Sequence, residues 1–129
     1  MKILLLLFTA SLFQFTNSKP FYVHILVNAN KEIKIENKTV SFDKLDNAVK
    51  TILEDSTLQN NEQVIIQIYG DENLKMGYIT DVQGQILKLS PYKGIRFKRE
   101  LYLLDTKKER LDQSGWINRV QQFHLKPVK

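Results

Sequence analysis

The sequence predicts a small α+β domain, a two-layer sandwich in which two helices lie on one face of a small mixed sheet. Three observations lead there. Short runs of β-branched and aromatic residues alternate with two stretches of three- and four-residue apolar spacing, and the resulting order is β-β-α-β-α-β with a C-terminal extension. At 129 residues, with 43% hydrophobic and 26% charged residues, the chain has the size and composition of one globular domain, not of a disordered tail or a polytopic membrane protein.

Phe21 to Val27 is rich in β-branched and aromatic side chains, Asn28-Ala29-Asn30-Lys31 supplies turn chemistry, and Glu32-Ile33-Lys34-Ile35-Glu36 alternates. A hairpin is expected, with Ile33 and Ile35 on the packed face and the three charged residues on the solvated one. Asn37-Lys38 turns the chain, Ser41 is placed as an N-cap, and Phe42, Leu45, Val49, Ile52 and Leu53 mark an amphipathic helix with Asp43 and Asp46 in its first turns. A polar loop from Ser56 to Gln63 leads to Val64-Ile65-Ile66-Gln67-Ile68-Tyr69, a nearly continuous apolar run suited to the middle of a sheet.

Gly70-Asp71-Glu72-Asn73 is read as a break, followed by a second helix carrying Met76, Ile79, Val82, Ile86 and Leu87 on one side. Gly77 and Gly84 each weaken that helix by about 1 kcal/mol relative to alanine unless they permit close packing. Ser90-Pro91-Tyr92-Lys93-Gly94 ends it. Ile95-Arg96-Phe97 and Leu101 to Leu104 read as one long strand or as two separated by Lys98-Arg99-Glu100. Thr106 to Gly115 is expected to be loop, and Trp116 to Lys129 fits neither a helix nor a strand period throughout.

The N-terminus has a different character. Met1-Lys2 precedes an apolar run from Ile3 to Phe15, the layout of a secretory signal, and Thr16-Asn17-Ser18 offers a small residue for cleavage. Such a run covers roughly 20 Å as a helix, against a hydrocarbon core of about 30 Å. The organisation read from the chain is therefore a signal peptide or short N-terminal anchor at 1–18, a domain at 19–105, and a basic C-terminal extension at 106–129. The expected location is the periplasm, either soluble after cleavage or anchored at the inner membrane if the leader stays.

Charge is uneven. Met1 to Leu87 carries eight basic and ten acidic residues, a net −2, whereas Lys88 to Lys129 carries eleven and four, a net +7. A basic surface attracts polyanions, which outside the cytoplasm means anionic lipid, cell-wall polymer or an acidic protein. Nucleic acid is not expected, because no nucleic-acid-binding signature occurs in an exported chain.

Chemistry-bearing patterns are sparse. With no cysteine there is no disulfide, thiolate nucleophile or zinc finger. His24 lies within a strand and His124 far away in the extension, so they make no metal-ligand spacing. Asp71-Glu72-Asn73 lacks the other calcium-loop ligands, and the carboxylate pairs Glu54-Asp55 and Asp71-Glu72, at a helix end and in a loop, read as solvated charge. Gly70 belongs to no phosphate-binding fingerprint. No catalytic residue, metal or cofactor is expected.

The order of elements, the Lys38-Thr39-Val40-Ser41-Phe42-Asp43-Lys44-Leu45 helix entry, the apolar strand Val64 to Ile68, the phrase Leu74-Lys75-Met76-Gly77-Tyr78-Ile79-Thr80-Asp81-Val82 and Gly94-Ile95 before a strand together resemble the periplasmic domain of the ExbD/TolR family of biopolymer-transport proteins. The resemblance covers roughly Val23 to Phe97. It implies a non-catalytic periplasmic protein-interaction module, part of or accessory to an envelope biopolymer transport and energy-transduction assembly. The family's intramembrane aspartate has no counterpart between Met1 and Phe15, which contain neither Asp nor Glu, so what carries over is dimerisation and recognition of a partner protein or of the cell wall.

Pairing at a sheet edge, expected at Ile95 to Leu104, is one way to bind a protein partner or a second copy. The candidate contact residues are Tyr78, Asp81, Arg96, Lys98, Arg99, Tyr102, Trp116 and Arg119. Lys98-Arg99-Glu100 either meets the partner or guards the edge against unwanted pairing. Trp116, with Tyr92, Tyr102 and Arg119, either forms an aromatic and basic contact surface or takes the commoner place of a lone tryptophan, the core. The competing reading is a secreted binder of anionic lipid or cell-wall polymer through the basic region from Lys88 onward.

Overall fold

The structure is a computed structural model that describes residues 19–56, 63–89, 92 and 94–129; the signal-peptide assignment lies outside them. A single five-stranded sheet has the order β3-β2-β1-β4-β5, formed by β1 (Phe21–Val27), β2 (Ile33–Ile35), β3 (Lys38–Val40), β4 (Gln63–Asp71) and β5 (Arg96–Leu104). β1, β2 and β3 pair antiparallel, whereas β1 with β4 and β4 with β5 pair parallel, so the sheet is mixed as expected. Parallel neighbours need a long crossover. Helix α1 (Leu45–Asp55) lies in one and α2 (Met76–Leu87) in the other.

Both helices pack on one face of the sheet. Leu45, Val49 and Leu53 of α1 and Ile79, Val82 and Ile86 of α2, at three- and four-residue spacing, meet alternate residues of the strands, among them Val23, Ile25, Val27, Val64, Ile66 and Ile68. The interior strand β4 is almost wholly buried, which is why its sequence is apolar on both faces.

Several elements differ from the sequence reading. Lys38-Thr39-Val40 is a strand, joined to β2 by the two-residue connection Glu36-Asn37. Glu36 stands at φ 52°, the left-handed conformation that primed hairpin turns require, but it lacks the glycine that usually announces such a turn. Gly70 does not end β4, which runs on to Asp71. A Cβ at Gly70 would lie 2.8 Å from Ile79 Cδ1, so the glycine admits the close approach of α2. Residues Phe42–Lys44 form a 3-10 turn ahead of α1, and Ser41 precedes that turn in extended conformation without a side-chain capping bond. Of the two alternatives left open for β5, one long strand is the one found: it is continuous through Lys98-Arg99-Glu100.

The C-terminal extension resolves into compact turns and a short helix α3 (Trp116–Gln121), and it covers the sheet face that the other helices leave open. Leu111, Trp116 and Val120 pack there against Leu26, Tyr69, Tyr102 and Leu104, forming a second, smaller core. Trp116 is 1% exposed, donates its indole N–H to Glu36 O at 2.8 Å and meets Tyr69 edge-on at 5.8 Å. Trp116 takes the core place that a lone tryptophan commonly does, and Tyr102 packs in the same second core.

Asp71, read from sequence as solvated charge, is also buried. Its carboxylate accepts from Thr106 N at 2.9 Å, Thr106 Oγ1 at 2.6 Å and Asn73 N at 2.9 Å, tying the start of the extension to the end of β4. Burial pushes the Asp71 carboxyl up in pKa, but these hydrogen bonds more than offset it, and the net shift is downward.

Candidate functional site

The free edge of β5 and a cleft on the face opposite α1 and α2 are open to another molecule. At the edge, backbone direction follows from two bonds. Leu104 O accepts from Glu72 N on the β4 side, and Leu101 O accepts from Val128 N on the outer side. Alternation then points the backbone groups of Phe97, Arg99, Leu101 and Leu103 outward. The tail takes up Leu101, while the outward groups of Phe97 and Arg99 have no backbone partner among the described residues. The opposite edge, β3, is three residues long, a length that limits pairing.

Side chains at the exposed stretch of β5 are mostly basic. Arg96, Lys98 and Arg99 are exposed. Lys98 lies 3.8 Å from Glu100, whereas Arg96 and Arg99 have no carboxylate partner among the described residues. Among the described residues the edge therefore presents two guanidinium groups without a carboxylate partner beside backbone groups without a partner.

The cleft, about 350 Å³, has a floor of Tyr22, His24, Gln67, Tyr69 and Tyr102 and a far wall from α3 and the residues after it. It exists because even-numbered residues of β1 and β5 and odd-numbered residues of β4 share this face through the registers His24 to Gln67, Gln67 to Glu100 and Tyr69 to Tyr102. The two tyrosine rings stack at 4.9 Å. Tyr102 OH and Gln67 Nε2 both donate to Glu100 Oε1, at 2.9 and 3.0 Å, and Tyr69 OH donates to Gln67 Oε1 at 3.4 Å.

The Gln67 bond, outweighing burial and helped by Tyr102 and Lys98, holds the Glu100 carboxyl below its ordinary pKa. Burial pushes the Tyr69 and Tyr102 phenols up to about 12, helped by the Glu100 charge at Tyr69 and by the hydrogen bond to Glu100 and then its charge at Tyr102. At the far end Glu36 Oε1 accepts from His24 Nδ1 at 3.1 Å and from His24 N at 2.9 Å. Burial raises the Glu36 carboxyl, but these bonds and the attraction of the His24 ring lower it further, and it ends below its ordinary value.

The sequence-predicted residues do not converge on one surface. Arg96, Lys98 and Arg99 lie together on β5, and Tyr102 lies further along the same strand with its ring in the second core. Asp81 is exposed on α2. Tyr78, also on α2, packs near Phe42, lies under Lys31 at 5.2 Å and donates to Lys31 O at 3.2 Å, so it braces the first hairpin. Arg119 donates to Glu109 O at 2.7 Å within the extension. Tyr92 reaches Glu54 on α1 at 3.2 Å.

Sequence reasoning missed the Glu36-His24 and Gln67-Glu100-Tyr102 groups. Part of their signal was present as His24 and Gln67, polar residues within the apolar runs of β1 and β4, whereas Glu100 was hidden in the charged stretch of β5. Among the described residues no cluster of three or more His, Asp or Glu could hold a metal ion, and no described helix is long and apolar enough to cross a membrane. No known protein family, curated protein or solved structure matches the chain.

Proposed function

We propose that this chain is an exported, non-catalytic protein-interaction module of the ExbD/TolR kind, working in or beside an envelope biopolymer-transport assembly. It binds by adding a strand of the partner, or of a second copy, to β5. The observation that carries this reading is the outer edge at Phe97 and Arg99, where, among the described residues, backbone groups without a partner lie beside Arg96 and Arg99 without carboxylate partners. Backbone pairing supplies affinity in such a joint, and the arginines favour an acidic strand. Two helices on one face of a mixed sheet, with the Leu74 to Val82 phrase opening into α2, agree with the resemblance.

A photo-cross-linking residue at Lys98 tests this in the native envelope. A defined protein partner or a dimer cross-linked from Lys98, and not from an exposed control position such as Lys50, supports strand addition. Equal labelling from both positions, or none from either, refutes it.

A second reading, a binder of anionic lipid or cell-wall polymer, is favoured by one observation: Lys108, Arg110 and Arg119 line a polar hollow of about 460 Å³ on the extension. Salt separates the two. Polyanion binding falls steeply as ionic strength rises, whereas strand pairing persists.

A further inference from the structure

The cleft on the sheet face opposite α1 and α2 plays no part in edge pairing, yet it has the layout of a small-molecule site. Its floor is buried, with Tyr69 at 4% and Tyr102 at 7% exposure, and its rim is open, with Tyr22 at 44%. Its volume of about 350 Å³ falls at the lower end of the range such sites occupy, roughly 300–1,000 Å³.

The lining selects among ligand classes. Among the described residues no lysine, arginine, aspartate or glutamate lines it. An anion would need clustered cationic donors, and an ammonium group would need an aromatic cage with a nearby free carboxylate. The two nearest carboxylates are already engaged, Glu100 by Gln67 and Tyr102 and Glu36 by His24. A wholly apolar ligand would strand polar groups that have capacity left.

That capacity is mixed in sign. With His24 Nδ1 bonded to Glu36, Nε2 is the ring nitrogen left for a ligand. Gln67 Nε2 spends one N–H on Glu100 and keeps the other as a donor. The Tyr69 and Tyr102 oxygens donate and retain acceptor lone pairs. A group that both donates and accepts, the hydroxyl, matches such a floor.

Tyr22 adds a flat element. Its ring stacks with His24, centroids 6.4 Å apart and planes 19° from parallel, at the open rim. The weakly positive C–H face of a pyranose ring settles on the negative face of such a platform.

We infer that this cleft binds a neutral polyhydroxylated ligand, a single sugar ring or short saccharide, stacked on Tyr22 and hydrogen-bonded through His24 and Gln67. The inference rests on the cleft alone and stands or falls separately from strand addition at β5.

The test titrates the isotope-labelled full chain with glucose, galactose, N-acetylglucosamine, maltose and lactose, and with glucose phosphate as the charged counterpart, following amide and imidazole resonances. At least one neutral sugar should give saturable shifts at Tyr22, His24, Gln67 and His124 with millimolar or tighter affinity. The phosphate should bind no more tightly, and added salt should leave neutral binding unchanged. Tyr22→Ala, at an exposed position, should weaken binding at least tenfold while the remaining spectrum keeps its dispersion. Gln121→Ala, on the opposite wall, should weaken it less. Absence of saturable shifts from every neutral sugar, binding untouched by Tyr22→Ala, or salt-sensitive preference for the phosphate would each overturn the inference.

Discussion

Replacing Asp71 should detach the extension from the sheet and reveal an acid-sensitive joint. The carboxylate takes three hydrogen bonds, two from Thr106 and one from Asn73, and only 1% of its residue surface is exposed. Hydrogen bonds to a charged group are worth about 1.5–3 kcal/mol each, but bonds that share one carboxylate do not add fully. Asp71→Ala should therefore cost about 3–4 kcal/mol, and Asp71→Asn, which keeps the shape and one acceptor oxygen, about 1–2 kcal/mol.

The pH dependence has a definite sign. The folded carboxyl titrates below the ordinary aspartate value, so its contribution is complete above that value and is lost as pH falls through the lower folded pKa. The stability difference between the natural chain and Asp71→Asn should shrink in that acid window. Glu36 and Glu100 are shifted in the same direction, but they are common to both proteins and cancel in the difference. Urea titration read by Trp116 emission, repeated from neutral pH into the acid range, makes the measurement. An Asp71→Ala cost below about 0.5 kcal/mol, or a difference independent of pH, would refute the joint.

Other consequences are local. A Cβ at Gly84 would meet nothing within 4 Å, so Gly84→Ala should stabilise α2 by about 1 kcal/mol, whereas Gly70→Ala should cost about 1–3 kcal/mol by driving Ile79 out of place; thermal melts of both variants check the opposite signs. Trp116→Phe removes the indole N–H that serves Glu36 O, and a loss of about 2–3 kcal/mol is expected in urea unfolding followed by circular dichroism. In an alkaline absorbance titration, two of the five tyrosines, Tyr69 and Tyr102, should ionise near 12, and Glu100→Gln should bring both down; joint ionisation of all five near 10 in the folded chain would contradict the stacked pair.

Much of the helix-side half of the fold was legible in the sequence. Val49 and Leu53 in α1, and Ile79, Val82 and Ile86 in α2, repeat at helical spacing because one face meets the sheet, and β1 and β4 are apolar because they lie centrally. The other half was harder to read because its determinants are distant in the chain. Asp71 looks like a turn residue until Thr106 is placed beside it, and Trp116 finds its acceptor at Glu36, eighty positions earlier. α3 is only six residues long, too short for periodicity to show, and β3 follows a turn without its usual glycine. Of the proposed contact residues, the basic trio of β5 was legible as a charged break in a strand pattern. The cleft was not, since it depends on the register of three strands.

The central claim, partner binding through the outer edge of β5, is tested most directly by a pair of proline substitutions. Arg99→Pro removes an N–H that points away from the sheet, so the fold should remain intact while cross-linking from Lys98 disappears. Glu100→Pro removes an N–H directed toward β4 and should unfold the strand, confirming the backbone direction. An Arg99→Pro protein that is folded and still cross-links as before would contradict the account.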